Sequence, residues 1–449
     1  MKVLVMKFGG TSVATPEARM TSAGRVVSAK EQGYAPVVVV SAIGRKGAPY
    51  ATDTLISFLR DVDPQTTPQA RELDMMMACG EILSSVVFAH TLKSLGCSAV
   101  ALTGQQAGIE TDDNFGVARI RSIDTSGLRK LLEAGKIPVV CGFQGFFDPS
   151  DGVKGEITTL GRGGSDTTGS ALGAALEAEA VEIYTDVDGV KTADPDYVEH
   201  APTLRKVTYE EVAEIAHLGA KVLHPRAAEI AMRFDIRLVV RSTFSDAPGT
   251  VVVRKEDFPG RRMTGVTHTG KLVYLRFLLG EAPEEDRRQI ERRLYEVMAL
   301  HGANLFMLNL SPSSTGFAVP RSQFPMVEGL LNGLVLPMEG ADKRVYLVQV
   351  GAVATKAVET QARLLAPLGP LPRVVAEVVE SCTMVSLIGQ EYLKQPGVLL
   401  KAMRTLHEAQ IPVIQTTDSE LSLSCLIPES ETRRAVALLH EAFGLSEIR

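Results

Sequence analysis

Short apolar runs alternate with longer amphipathic stretches along the first 245 or so residues. Val3-Leu4-Val5-Met6, Pro36-Val37-Val38-Val39-Val40, Ala99-Val100-Ala101-Leu102, Ile137-Pro138-Val139-Val140, Val181-Glu182-Ile183-Tyr184 and Ile236-Arg237-Leu238-Val239-Val240 read as buried strands. Helical stretches separate them, beginning near Pro16, around Leu55, at Glu72 and at Gly169. This order predicts an α/β fold with a mostly parallel sheet covered by helices on both faces, a three-layer αβα arrangement. Asp246 to Arg262 breaks the pattern with prolines, glycines and charges, and 246–262 is read as a linker.

Beyond the linker the chain repeats itself. Leu300-His301 matches Leu406-His407 at an offset of 106, and the same offset pairs Asn309 with Gln415 and Ser311 with Thr417. Each copy reads strand, helix, strand, polar turn, strand, which predicts two related α/β modules, 263–345 and 346–449. The segment 263–268 is an alternative strand of the second module. The polar turns of the repeats lack acid–base and phosphate chemistry, so they point to binding or regulation.

Composition changes this picture little. The 449 residues are 45% hydrophobic and 22% charged, ordinary for a globular chain of several domains. A net charge of −6 gives no general affinity for nucleic acid. The five cysteines are dispersed, without zinc or dithiol spacing, which fits a reducing cytoplasm. No metal-ligand cluster is read, and no uninterrupted apolar run long enough to span a membrane.

The candidate chemistry sits at glycine corners that end strands. Ile157-Thr158-Thr159-Leu160 leads into Gly161-Arg162-Gly163-Gly164-Ser165-Asp166 and then a helix. Glycines there admit a ligand close to main-chain N–H groups, and the helix start favours an anion. Arg162 adds a fork suited to a carboxylate or phosphate. Lys7 precedes a second corner, Gly9-Gly10, and Ser41-Ala42-Ile43-Gly44 makes a third. Ligands of open α/β sheets collect at such carboxyl ends of strands. Glu81 suits an ammonium group, and Asp186 a polar nucleotide group; the bland alternatives are a solvated helix face and an Asx turn.

Taken together, Lys7-Phe8-Gly9-Gly10-Thr11-Ser12-Val13, Thr159-Leu160-Gly161-Arg162-Gly163-Gly164-Ser165-Asp166, Tyr184-Thr185-Asp186-Val187-Asp188-Gly189-Val190 and Gly219-Ala220-Lys221-Val222-Leu223-His224-Pro225-Arg226 resemble the aspartate kinase family over nearly the whole chain. The paired modules resemble its two ferredoxin-like (βαββαβ) ACT domains. The loop from Ser41 to Asp53 and the turn Leu308-Asn309-Leu310-Ser311-Pro312-Ser313 are similar to those of the diaminopimelate-sensitive type.

The resemblance implies an amino-acid-kinase domain over 1–245 and ATP-dependent phosphorylation of the L-aspartate side-chain carboxylate, with Mg²⁺. Such a reaction opens lysine, threonine, methionine and diaminopimelate biosynthesis. It further implies a cytoplasmic homodimer built through the ACT modules, regulated by diaminopimelate, lysine or threonine. Carried over by position, Lys7, Phe8, Gly9, Gly10, Ser41, Thr185, Asp186, Lys191 and Lys221 would bind the nucleotide. Thr52, Glu81, Arg162, Gly163, Gly164 and Ser165 would bind aspartate. Lys7, Asp166 and Arg162 would carry catalysis, and Asn309, Ser311, Gln415 and Thr416 would meet an effector. Two positions depart from the family pattern: Asp196 follows Pro195 where an Arg is usual, and Phe306 replaces an effector-facing Asp. The readings set against this one are another kinase of the same superfamily and an amino-acid sensor without catalysis.

Overall fold

The computed structural model describes the chain except residues 65, 221, 259–262, 340–343, 370, 391–395 and 448–449. The described residues form two compact units, Met1–Gly265 with Gly444–Arg449, and Val266–Phe443.

The first unit follows the predicted alternation. In chain order it contains β1 (Lys2–Phe8), α1 (Pro16–Glu31), β2 (Tyr34–Val40), α2 (Thr52–Arg60), α3 (Ala70–Ser94), β3 (Ala99–Leu102), β4 (Ile109–Thr111) and β5 (Ile120–Ile123). There follow α4 (Ser126–Glu133), β6 (Ile137–Cys141), β7 (Gln144–Phe147), β8 (Glu156–Thr159), α5 (Gly164–Leu176) and β9 (Ala180–Thr185). The unit ends with β10 (Lys206–Thr208), α6 (Tyr209–His217), α7 (Pro225–Arg233), β11 (Leu238–Ser242) and β12 (Thr250–Val253). Eight strands pair in the order β10-β12-β11-β9-β1-β2-β6-β3, and only the β11–β12 pairing is antiparallel. The all-apolar strands are central, as burial on both faces requires. Phe8 of β1 packs on Phe88 of α3 and stacks on Tyr184 of β9, with ring centroids 5.4 and 4.8 Å apart.

Two features differ from the sequence reading. A second, four-stranded sheet, β5-β4-β7-β8, carries the strand that leads into the Gly161–Gly164 corner. Its strands are three or four residues long and include Glu110, Arg121 and Ser122, so they lack a hydrophobic signature. The segment read as a linker also contains β12, an integral strand of the main sheet. Thr250 fixes it there by donating to the Leu204 carbonyl (2.6 Å) and accepting from the Val190 N–H (2.9 Å).

α3 is long and apolar enough to cross a membrane by length and composition. Asp74 and Glu81 interrupt its sequence, and both are buried against the rest of the unit. α3 packs on β3, β6 and β8 as a core helix.

The second unit contains β13 (Gly265–Leu278), α8 (Glu284–Leu300), β14 (Phe306–Ser311), β15 (Ser314–Pro320), α9 (Phe324–Leu331), β16 (Val335–Pro337) and β17 (Val345–Val350). It continues with α10 (Lys356–Leu364), β18 (Arg373–Ile388), α11 (Val398–Glu408), β19 (Gln415–Asp418), β20 (Ser422–Pro428) and α12 (Thr432–Ala442). The strands run β14-β15-β13-β18-β17-β16, with β20 also on β18 and β19 on β20. Residues 265–268 start β13, which runs on into the first module.

The repeat is present, at an offset of 108 in place of 106. Buried Ile290, Leu294 and Met298 of α8 correspond to Val398, Ala402 and Leu406 of α11. Ser311 and Ser314 are hydrogen-bonded in the same manner as Ser419 and Ser422. The Leu-His identity misaligned the copies by two residues because it equates solvent-facing Leu300 with buried Leu406. The module boundary at 345/346 moves as well: Tyr346, Val348 and Val350 of β17 share one core with Ile290, Leu294 and Met298.

Candidate active site

Three loops meet at the carboxyl ends of β1 and β2 and at the start of α5. At the first, Lys7 is only 8% exposed, and its Nζ lies 2.5 Å from Asp166 Oδ1. The other Asp166 oxygen accepts the His224 backbone N–H at 3.2 Å. A buried cation is thereby held by a buried carboxylate whose remaining oxygen is itself satisfied, as low-dielectric burial demands. Phe8 is fully buried, and Gly9 donates to the Tyr184 carbonyl at 3.1 Å.

The second loop approaches the first at Gly10. A Cβ there would stand 2.5 Å from the Gly44 carbonyl oxygen and 2.9 Å from that of Ala42. Glycine is therefore required by contact, and the loops are tied by a Gly44 N–H to Gly10 carbonyl bond of 3.1 Å. Ser41 Oγ reaches Ser165 Oγ at 2.8 Å, joining the second loop to the third.

The third loop turns through Gly161 and Gly163, both left-handed, with φ of +76° and +70°. A Cβ on Gly163 would sit 2.1 Å from the His224 ring. Asp74 of α3 anchors the approach to this turn. It is fully buried and accepts from the Thr159 N–H (2.7 Å), the Thr159 hydroxyl (2.7 Å) and the Gly116 N–H (2.9 Å). Arg226 adds a bond to the Leu160 carbonyl at 3.0 Å. Gly164 opens α5, a largely buried helix of 13 residues, so its positive dipole end lies at the turn.

Glu81 comes into this cluster from α3. Its Oε1 accepts the Ala42 N–H at 2.9 Å, whereas its Oε2 is buried without a partner. Burial raises its pKa to about 8, against smaller opposing effects from the Ala42 bond and the Lys7 charge. A buried acid with one vacant oxygen beside a cation is chemically incomplete, and a ligand ammonium would complete it.

The remaining predicted residues lie around this cluster. Arg162 is exposed at the turn and Thr52 is half-buried at the first position of α2. Thr185 ends β9 and donates to Asp186 Oδ1 at 3.1 Å; Asp186 is paired with Arg45 at 2.5 Å. Lys191 donates to Thr203 Oγ1 at 3.2 Å and to the Ala201 carbonyl at 3.4 Å. Asp196 is exposed, and its N–H caps on Asp194. Lys221 lies outside the described residues. In the second unit Asn309 Nδ2 donates to Gln415 Oε1 at 3.1 Å, and Gln415 Nε2 donates to the Thr416 carbonyl at 3.0 Å. Sequence reasoning missed the positioning by Asp74, His224 and Gly142, where a Cβ would lie 2.7 Å from Ser165 Cβ. A proline after His224, at the first turn of α7, was the available signal for that helix start.

Comparison with known proteins fixes the family. Residues 2–242 match the Amino acid kinase family and residues 385–443 the ACT domain. The chain is 37% identical to Aspartokinase 1 of Bacillus subtilis, covering 100% of both chains. The chain belongs to the aspartokinase family. A second relative, the aspartokinase of Geobacillus stearothermophilus, is 35% identical, with 100% of this chain and 98% of that one covered. Among solved structures, E. coli aspartokinase III in complex with aspartate and ADP shares the fold with a TM-score of 0.70 at 24% identity, covering 98% of this chain and 99% of that one. Aspartate kinase from Synechocystis matches with a TM-score of 0.60 at 25% identity, covering 99% of each. The enzyme is thus a carboxylate-directed kinase with an ACT regulatory region, and ATP and aspartate are the substrates its family membership implies.

Proposed function

We propose that the Lys7–Asp166 corner is where aspartate and ATP meet. Lys7, Gly9, Gly10 and Ser41 line the phosphate side of this site, with Phe8 buried in the core behind it. Thr185, Asp186 and Lys191 line the rest of the nucleotide site, and the family resemblance adds Lys221 to the nucleotide-binding residues. Glu81 receives the aspartate α-ammonium, Arg162 forks onto its α-carboxylate, and Thr52 with Gly163, Gly164 and Ser165 completes the pocket. The observation that carries this reading is the vacant, buried Oε2 of Glu81, on an acid close enough to Lys7 to feel its charge.

The chemistry asks little proton transfer of the protein. A side-chain carboxylate, with an ordinary pKa near 3.9, is already the nucleophile at neutral pH. The demand is to hold two anions in line, which calls for cations, N–H donors and a helix start. Asp166 fixes the Lys7 ammonium, and Lys7 offsets charge on the transferring group. Among the described residues no cluster of three or more His, Cys, Asp or Glu is placed to hold a metal. Asp166, the carboxylate at the corner, is already engaged by Lys7 and His224. Magnesium is therefore assigned to the substrate, as MgATP held through its phosphates.

Regulation is assigned to the second unit. Asn309, Ser311, Gln415 and Thr416 meet an amino-acid effector, and two chains join through the ACT modules. The Ser41–Asp53 loop and the turn at Leu308 favour diaminopimelate as effector; Phe306 disfavours lysine and threonine. A structure of E. coli aspartokinase III contains lysine with aspartate, so that effector chemistry occurs on the same fold.

The test is ATP turnover with L-aspartate, trapping the acyl phosphate with hydroxylamine while diaminopimelate, lysine and threonine are added singly. Hydroxamate that depends on aspartate and Glu81, with inhibition by diaminopimelate alone, is expected. Full activity in a Glu81→Gln variant would remove the ammonium assignment, and inhibition by lysine or threonine would overturn the subtype.

A further inference from the structure

A ring of contacts encloses the Gly9-Gly10 turn. The Gly9 N–H donates to the Tyr184 carbonyl at 3.1 Å, and the Gly10 carbonyl accepts the Gly44 N–H at 3.1 Å. Arg45, the residue after Gly44, pairs with Asp186 at 2.5 Å, and Asp186 follows Tyr184 by two residues. The ion pair thus closes the ring between the loop after β2 and the end of β9. Both of its members face solvent, the Arg45 side chain at 71% exposure and that of Asp186 at 37%. Gly44 and Gly47 bracket this stretch in the left-handed region, with φ of +87° and +95°. A Cβ on Gly47 would meet nothing within 4 Å, so the tip of the loop stands in open space.

The charges around this corner are unequally committed. Lys7 is buried against Asp166. Lys191 is held by Thr203 Oγ1 and the Ala201 carbonyl, and its backbone bridges to Thr203 as well. Asp196 adds negative charge, where a triphosphate asks for the opposite sign. One buried lysine already matched by a carboxylate offsets little of a triphosphate's charge. Arg45 is held more lightly, because an exposed ion pair contributes little once water and salt screen it. A guanidinium on a phosphate gains two parallel charge-assisted bonds, so exchange of Asp186 for an arriving phosphate is favourable. The exchange also changes Asp186. Relieved of Arg45, its ionised carboxylate is an acceptor in need of donors, and sugar hydroxyls are donors.

We propose that Arg45 is a phosphate-binding residue of the nucleotide site, held on Asp186 until the nucleotide arrives and then transferred to its terminal phosphates, leaving Asp186 to accept the ribose hydroxyls. The proposal rests on the reading of the Lys7–Asp166 corner as the phosphate site, and adds a residue that reading did not contain. It gives the loop after β2 two tasks. Ala42 holds Glu81 on the aspartate side, and Arg45, three residues on, holds the nucleotide.

The test compares MgATP with adenosine, which lacks the phosphates, by titration calorimetry on the full-length enzyme. Arg45 is exposed and the backbone bonds of the turn do not need its side chain, so Arg45→Ala should fold. It should bind MgATP about tenfold or more weakly and adenosine as the parent does, with the aspartate KM unchanged. Asp186→Ala should weaken both ligands alike. The ratio of MgATP to adenosine affinity should stay low in the double variant, Arg45→Ala with Asp186→Ala. Return of that ratio to the parent value would mean that Arg45 merely neutralises Asp186, and overturns the proposal. So does equal weakening of MgATP and adenosine in Arg45→Ala, which would give the residue a role in loop shape alone. Lys7→Ala, assayed beside these for hydroxamate formation, separates the two readings. If it is impaired while Arg45→Ala binds MgATP normally, the Arg45 assignment falls and the corner stands. If it is unimpaired, the corner itself is misassigned and the Arg45 proposal falls with it.

Discussion

Aspartate binding should release a proton, and Glu81 sets how much. Its carboxyl is held to a pKa of about 8 in the unliganded site, chiefly by burial. At pH 7 the protonated fraction is therefore about 0.9. An ammonium placed against the vacant Oε2 favours the ionised form and drives that proton off. Binding at pH 7 should release about 0.9 proton, falling to about 0.5 at pH 8 and toward zero at pH 9. Affinity should correspondingly rise about tenfold per pH unit below 8. The assay is titration calorimetry of L-aspartate in two buffers of different ionisation enthalpy, which counts protons directly. The Glu81→Gln variant should show no proton exchange at this site and a flat pH dependence. Folding follows the same linkage with its sign fixed. A pKa raised from 4.5 to about 8 gives stability that is full below pH 4.5 and is lost as pH rises toward 8. Proton release near zero at pH 7 in the unmodified enzyme, or equal release from Glu81→Gln, would refute the reasoning.

Three substitutions test the scaffold around that acid. Lys7→Ala should lower turnover by about a hundredfold or more, through loss of charge stabilisation, while the aspartate KM changes little; unchanged turnover in steady-state kinetics would remove Lys7 from the chemistry. Gly163→Ala must place a Cβ 2.1 Å from the His224 ring at a φ of +70°, so kcat/KM should fall about tenfold or more. Gly127→Ala, in open space on α4, is its control and should be neutral. Asp74→Ala strands the Thr159 and Gly116 N–H groups in the interior and should cost about 3 kcal/mol in the urea unfolding of the first unit. A cost below about 1 kcal/mol would show the anchor to be dispensable.

The main sheet was legible because burial on both faces makes a strand uniformly apolar, and five such runs define its centre. The corners were legible because a glycine cluster after a strand has few other uses. What escaped was structure that leaves no pattern in hydrophobicity. The second sheet consists of short polar strands whose partners lie tens of residues away, such as Thr111, whose hydroxyl meets that of Thr158 at 2.6 Å. β12 was hidden in a segment whose turn residues outnumber its valines. Within the site, Lys7, Glu81 and Asp166 carried chemical signals of their own. His224 positions through its backbone N–H, which no side-chain type advertises. The repeat was recognised from identical residues, yet its register is set by which leucines are buried.

β18 spans 16 residues, about 50 Å of extended chain. Its amino half pairs with β17 at Arg373–Ala376, and Val374 and Ala376 belong to the first module's core. Its carboxyl half pairs with β20 at Cys382–Ile388. A duplicated sequence has thus given up its separability, since no cut between the copies leaves both with a complete set of strands. The region should melt as one cooperative block, and a fragment starting at 346 would carry β17 away from the core that it fills. Evolution can still retune either copy's surface, but it can no longer lose or transplant one copy alone.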